Sequence, residues 1–242
     1  MSLLRVAGLT KRFGGVVANR DVTFDVAPGE CVGVIGPNGA GKSTLFDLIT
    51  GFARPDAGSV RLDGRELTRL RPDEICGLGV ARTFQKLRPF GGMTALENVM
   101  VGAFRRTRHV GEAREIAREA LAGVGLGDRA DAHARGLSTG QRKRLELARA
   151  LATGPRLLLL DEVTGGVDQG AIPALVALVR ALHGRGLALV VIEHNMRVIM
   201  GLAQRVVALQ LGEVIADAPP ADIARDARVI DAYLGQAWRA GP

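Results

Sequence analysis

Residues 36–44 read Gly36-Pro37-Asn38-Gly39-Ala40-Gly41-Lys42-Ser43-Thr44, directly after the apolar run Cys31–Ile35 and directly before a helix-like segment, Thr44–Thr50. A strand, a glycine-rich turn and a helix in that order point to an α/β fold. Gly36, Gly39 and Gly41 let the backbone turn tightly enough for successive N–H groups to face phosphate oxygens, and the following helix adds its positive dipole end. Lys42 offers a point charge to the β- and γ-phosphates. Ser43 offers a hydroxyl to Mg²⁺, which keeps several waters and favours phosphate oxygens. These residues predict binding of a nucleoside triphosphate.

The 242 residues, 47% hydrophobic and 24% charged, fit one compact α/β unit with room for a smaller inserted subdomain. Apolar runs such as Leu187–Ile192 are too short to span a bilayer, and the first residues lack the basic-then-apolar layout of a signal peptide, so a soluble, cytoplasmic chain is expected. Cys31 and Cys76, the only cysteines, form no Cys-x-x-Cys pair and have no histidine at ligand spacing. Both read as small buried apolar residues. The net charge of +7 comes from 28 arginines and only four lysines, dispersed along the chain with 4% aromatics. Such a pattern lacks the stacking platforms of single-strand binders, and no nucleic-acid partner is expected.

Along the chain, Leu4–Leu9 and Val22–Val26 read as strands of an antiparallel sheet, with Ser59–Leu62 and Val80–Gln85 as further β-like stretches. The texture then turns helical. Met93-Thr94-Ala95-Leu96-Glu97 carries a capping box opening a helix toward Phe104, Glu112–Ala122 has helical spacing, and Ser138–Gln141 opens a helix running to Ala152. From Arg156 the alternation resumes: strand Leu157–Leu160, helix Ile172–His183, strand Leu187–Ile192, helix Met196–Ala203. Strand, helix and strand in that order predict a parallel sheet covered on both faces. A hairpin, Val206–Leu211 with Val214–Ala216, precedes two short helices between Pro219 and Leu234.

The strand 157–160 delivers two acids, Asp161 and Glu162, at its C-terminal end, where open α/β sheets place ligands. Asp161 suits Mg²⁺, through water, and Glu162 suits orientation or deprotonation of a water attacking the γ-phosphate. Leu137-Ser138-Thr139-Gly140-Gln141 adds a serine hydroxyl, exposed N–H groups and a helix dipole, a second anion site without a lysine of its own. About a hundred residues from the phosphate loop, it reads as completing the nucleotide site of a partner subunit.

With these motifs in this order, essentially all 242 residues resemble the ATP-binding cassette (ABC) ATPases. The resemblance implies a P-loop NTPase core with a parallel sheet, an N-terminal antiparallel β subdomain and an inserted α-helical subdomain. These form a single ABC ATPase domain over 1–242, with 1–86 and 153–242 as core and 87–152 as helical subdomain. It implies Mg-ATP hydrolysis, with Phe13 stacking on adenine, residues 36–44 on the phosphates, and Gln85 in the loop linking core to helical subdomain and on the metal with Ser43 and Asp161. Glu162, His194 and Gln85 are the implied catalytic residues. Ser138, Thr139, Gly140 and Gln141 resemble the signature, and Asp168 the dimer-contact aspartate. Thr139 stands where the commonest signature has glycine, and Val163 replaces the proline that often follows the acids.

Four further stretches are similar to ATPases of branched-chain amino-acid importers: Val80–Gln85, Met93–Val99, Arg142–Thr153, and the ending Val229-Ile230-Asp231-Ala232-Tyr233-Leu234-Gly235. The implied partners are transmembrane permeases and a second cassette, identical or related, with the chain peripheral on the inner face of the membrane. A lipopolysaccharide-export ATPase shares a similar ending, and a soluble ABC ATPase not tied to transport would use the same site.

Overall fold

A computed structural model describes residues 2–239, with side-chain surroundings given through Tyr233. Two compact units emerge, residues 1–75 with 188–242 and residues 76–187. The first unit begins with β1 (Leu4–Phe13), β2 (Val16–Val26) and β3 (Cys31–Ile35), then α1 (Lys42–Ile49), β4 (Ala57–Leu62), β5 (Arg65–Glu66) and the start of α2 (Pro72–Gly77). The second unit carries β6 (Val80–Arg82), α3 (Ala95–Ala103), α4 (Val110–Gly123), α5 (Thr139–Ala152), β7 (Leu157–Asp161) and α6 (Ile172–His183). The chain returns to the first unit through β8 (Ala188–Ile192), α7 (Met196–Leu202), β9 (Arg205–Gln210), β10 (Glu213–Ala218), α8 (Pro220–Ile223) and α9 (Ala227–Arg239).

In the first unit β2, β1, β4 and β5 form an antiparallel sheet in that order, with Leu4 opposite Val26 and Leu62. Alternation of buried Leu4, Val6 and Leu9 with more exposed neighbours gives this sheet one buried face. Beside it β3 lies between β8 and β9, parallel to both, and β10 folds back on β9. All five residues of β3 and all five of β8 are buried, the continuous apolar texture of strands covered on both faces. In the second unit β6 and β7 pair in parallel, Val80 with Leu157 and Arg82 with Leu159. The fold is therefore mixed α/β, with the expected parallel strands and N-terminal antiparallel sheet.

Several expectations need adjusting. β1 and β2 run well past Leu9 and start well before Val22, because the main-chain ladder continues through polar residues such as Lys11, opposite Asn19. The stretch 80–85 stops being strand at Arg82: Thr83 still donates to the Leu159 carbonyl, but the Phe84 N–H turns to the Glu146 carboxylate. Cys31 is buried as expected, whereas Cys76 is only half-buried at the end of α2. Both capping boxes form, Thr94 with Glu97 and Ser138 with Gln141.

Candidate functional site

The phosphate-loop residues lie in the first unit. β3 ends at Ile35 in the middle of its parallel neighbours, and the next residues leave the C-terminal edge of the sheet. Two glycines there are demanded by packing. A Cβ on Gly36 would fall 2.3 Å from the Leu209 carbonyl oxygen, and one on Gly41 would fall 2.2 Å from that of Ala18. Both also have positive φ, 151° and 97°. Gly41 caps α1 in the left-handed conformation, and Lys42 is the first helical residue.

Lys42 is buried, and its Nζ donates to the carbonyls of Gly36 at 2.6 Å and Pro37 at 3.0 Å. The ammonium thus lies within the loop's own oxygens, where phosphate oxygens can replace them. Asn38, Gly39 and Ser43 are exposed, and a Cβ on Gly39 would meet nothing within 4 Å, so the loop opens outward. Pro37 and Ala40 are buried and Thr44 is half-buried. The residues present fit a polyphosphate: an open loop, an N–H-rich turn and a cation in its floor.

Residues far away in sequence brace this loop. Asn19, fully buried, donates from Nδ2 to the Gly41 carbonyl at 3.3 Å. The Gly212 N–H, from the β9–β10 turn, donates to the Ala40 carbonyl at 3.2 Å. Tyr233 on α9 accepts the Gly36 N–H at 2.8 Å. Asn19 drew no notice in the sequence, Gly212 entered only as the turn of a hairpin, and Tyr233 only as part of a resembling ending. No local pattern marks any of the three, because each acts across the fold.

Phe13, at the end of β1, is 54% exposed with Lys11 Nζ 5.3 Å from its ring centroid. An exposed aromatic at a strand end offers a stacking face. His194 is exposed just beyond β8. Since Val34 pairs with Ile192 in parallel, Gly36 and His194 both leave the same end of this sheet two residues later. Asn195 caps α7, accepting from the Arg197 and Val198 N–H groups.

The acids and the signature belong to the second unit. Asp161 ends β7, 2% exposed, with its N–H donated to the Thr83 hydroxyl and its Oδ2 accepting from Arg82 Nη2 at 2.8 Å. Glu162 follows at φ 50°, an uncommon left-handed conformation for a side chain of this size. Lys143 Nζ at 2.7 Å and the Gly165 N–H at 3.1 Å both donate to the Glu162 carbonyl. Gln85 Nε2 donates to Glu162 Oε1 at 3.0 Å, so two expected catalytic residues meet. Asp168 is exposed and accepts the Gly170 N–H at 2.9 Å, forming a local turn.

Ser138 caps α5: its hydroxyl accepts from the Gln141 N–H at 3.3 Å, and Gln141 Oε1 accepts from the Ser138 N–H at 3.0 Å. Ser138 and Thr139 are exposed, Gly140 and Gln141 half-exposed, so the helix N-terminus faces outward. Among the described residues no group of three or more His, Cys, Asp or Glu side chains could hold a metal ion by itself.

Comparisons with known proteins agree. A family model described as ABC transporter matches residues 19–165, and one described as Branched-chain amino acid ATP-binding cassette transporter matches residues 213–238. The high-affinity branched-chain amino acid transport ATP-binding protein BraF of Pseudomonas aeruginosa is 40% identical, over 97% of this chain and 98% of that protein. The lipopolysaccharide export system ATP-binding protein LptB of Acidithiobacillus ferridurans is 35% identical, over 98% of each. A crystal structure of the ADP conformation of MJ1267, an ATP-binding cassette of an ABC transporter, has a TM-score of 0.88 at 30% identity, covering 97% of this chain and 99% of that one. A dimeric post-hydrolysis state of the cassette MJ0796 bound to ADP and Pi has a TM-score of 0.81 at 29% identity, covering 90% of this chain and 98% of that one. With its glycine loop, its paired acids and its capped signature helix, this ATP-binding chain belongs to the ABC transporter family, as one of its ATPases.

Proposed function

We propose that the chain powers import of branched-chain or related amino acids, on the inner face of a membrane, against transmembrane permease subunits and paired with a second cassette that is identical or related. The match of residues 213–238 to a branched-chain transporter model carries this reading. Near full-length identity of 40% with BraF supports it, and the 35% identity with the export protein LptB carries less weight beside that match. Residues 1–86 and 153–242 are the proposed nucleotide-binding core and 87–152 the helical subdomain. Among the described residues no helix is long and apolar enough to cross a membrane, so the permeases supply the passage.

The roles follow from local chemistry. Lys42 exchanges the Gly36 and Pro37 carbonyls for β- and γ-phosphate oxygens, while the turn at 36–44 donates its N–H groups. Phe13 stacks on the adenine. Ser43, Asp161 and Gln85 are the proposed Mg²⁺ ligands, and the metal when bound neutralises charge on the phosphates. Glu162 orients the attacking water and accepts its proton, Gln85 holding the carboxylate until the water is in place. His194 contacts the γ-phosphate. Ser138, Thr139, Gly140 and Gln141, with Asp168, meet the partner cassette and its nucleotide.

The test is uptake. In the host, deletion of this gene should abolish high-affinity uptake of labelled leucine, isoleucine or valine, and the wild-type gene but not Glu162→Gln should restore it. Undiminished uptake of all three in the deletion strain would remove the substrate class. Loss of outer-leaflet lipopolysaccharide instead would favour export.

A further inference from the structure

Tyr233 lies on α9, 197 residues from Gly36 in the chain, and its hydroxyl accepts the Gly36 N–H at 2.8 Å. Gly36 is buried, and its own carbonyl accepts from Lys42 Nζ at 2.6 Å. The contacts form a continuous line from the Tyr233 hydroxyl through Gly36 to the Lys42 ammonium. Gly36 sits where even a Cβ would fall 2.3 Å from the Leu209 carbonyl oxygen of β9, which leaves the residue little room to find another arrangement. The helix that brings Tyr233 there is fixed by Val229 and Ala232, both buried. Burial raises the Tyr233 phenol above its ordinary value, against the opposing effect of the Gly36 hydrogen bond, so the group stays a neutral hydroxyl at physiological pH.

Resting on the reading of residues 36–44 as the nucleotide loop, we propose that Tyr233 is a positioning residue of that loop. Its hydroxyl fixes the peptide entering Gly36 and thereby the place of Lys42, so this one hydrogen bond helps set how tightly nucleotide is held. Removing the hydroxyl leaves the buried Gly36 N–H without its acceptor in this fold, and the loop must shift to satisfy it. A shift there moves the carbonyls that hold Lys42.

The full chain allows a direct test, because it contains a single tyrosine. Labelling with 3-fluorotyrosine gives one fluorine resonance, from Tyr233 alone. Saturation with Mg-ADP should move that resonance in the wild type and leave it unmoved in Lys42→Ala, which should bind no nucleotide. Tyr233→Phe keeps the ring and should raise the Kd for fluorescent ADP and ATP analogues about three- to tenfold, the range of one hydrogen bond. Hydrogen exchange at the Gly36 amide should quicken in the same variant. Val229→Ala loosens the same helix without touching the hydroxyl; it should lower Tm while Kd and Gly36 exchange stay as in the wild type.

A wild type that binds no nucleotide would sink the loop reading itself. Nucleotide binding that is normal in wild type, with a motionless fluorine signal or an unchanged Kd in Tyr233→Phe, would overturn the role of Tyr233 alone. So would a Val229→Ala variant that weakens binding as much as Tyr233→Phe, since the helix and not the hydroxyl would then be responsible.

Discussion

At the scale of single residues, Glu162 combines a proposed catalytic role with strain. Its left-handed backbone costs on the order of 1–3 kcal/mol. Lys143 and the Gly165 N–H, both on its carbonyl, offset that cost, and Gln85 Nε2 meets its side chain. Glu162→Gln keeps shape and hydrogen bonding but removes the charge proposed to receive the water's proton. ATP binding should persist while phosphate release nearly stops, and wild-type kcat in this variant would assign the proton to another group. Cys31 gives a second residue-scale expectation. Burial, with the neighbouring Glu30 carboxylate, pushes its thiol up to about 12, so it carries almost no thiolate at neutral pH. Ellman's reagent should therefore modify Cys76 in the folded chain and reach Cys31 only in denaturant; two fast equivalents from folded protein would contradict this. The loop 36–44 was legible because strand, glycines, lysine and helix adjoin one another in sequence. Lys143 appeared there only within the stretch Arg142–Thr153, and the Arg82–Asp161 ion pair not at all, because partners 19 and 79 residues apart meet only after folding.

At the scale of elements, local signals read well and long-range ones poorly. The capping boxes at Thr94 and Ser138 need only four consecutive residues, and both formed. The true lengths of β1 and β2 depended on pairing that polar residues do not advertise. The same limit hid Arg205 on β9, which binds Asp217 on β10 at 2.7 Å and Glu30, in the turn before β3, at 2.8 Å. Burial alone would raise the Glu30 carboxyl, but hydrogen bonds from Arg205 and the Ala27 N–H, with the Arg205 charge, hold it below its ordinary 4.5. A depressed carboxyl stabilises the fold above its unfolded-state value, and that contribution disappears as pH falls through the folded value. Arg205→Met should cost about 2–3 kcal/mol at pH 7, as loss of partly buried charged hydrogen bonds does. The gap from wild type, followed by thermal melts, should narrow as pH drops below 4.5. A gap of constant size from pH 7 to pH 3.5 would show that Arg205 acts by packing rather than by charge.

At the scale of the whole molecule, the order of strands and helices was readable, because buried parallel strands and amphipathic helices announce themselves by composition. The proposed pairing with a second cassette was readable only as a capped helix start at Ser138, which faces outward. With Mg-ATP, Glu162→Gln should form dimers by light scattering, alone or only when mixed with a related cassette, and adding Ser138→Arg should dissolve them. Dimers that survive the second change would show that the signature does not hold the partner's nucleotide. The scarcity of lysine has a practical outcome for watching this assembly. Lys42 and Lys143 are buried, Lys11 is 16% exposed and paired with Asp56, and Lys86 is the one exposed lysine among the described residues. Apart from the α-amine, an amine-directed dye should therefore mark one side chain, beside Gln85, and give that loop an optical probe without any engineered cysteine.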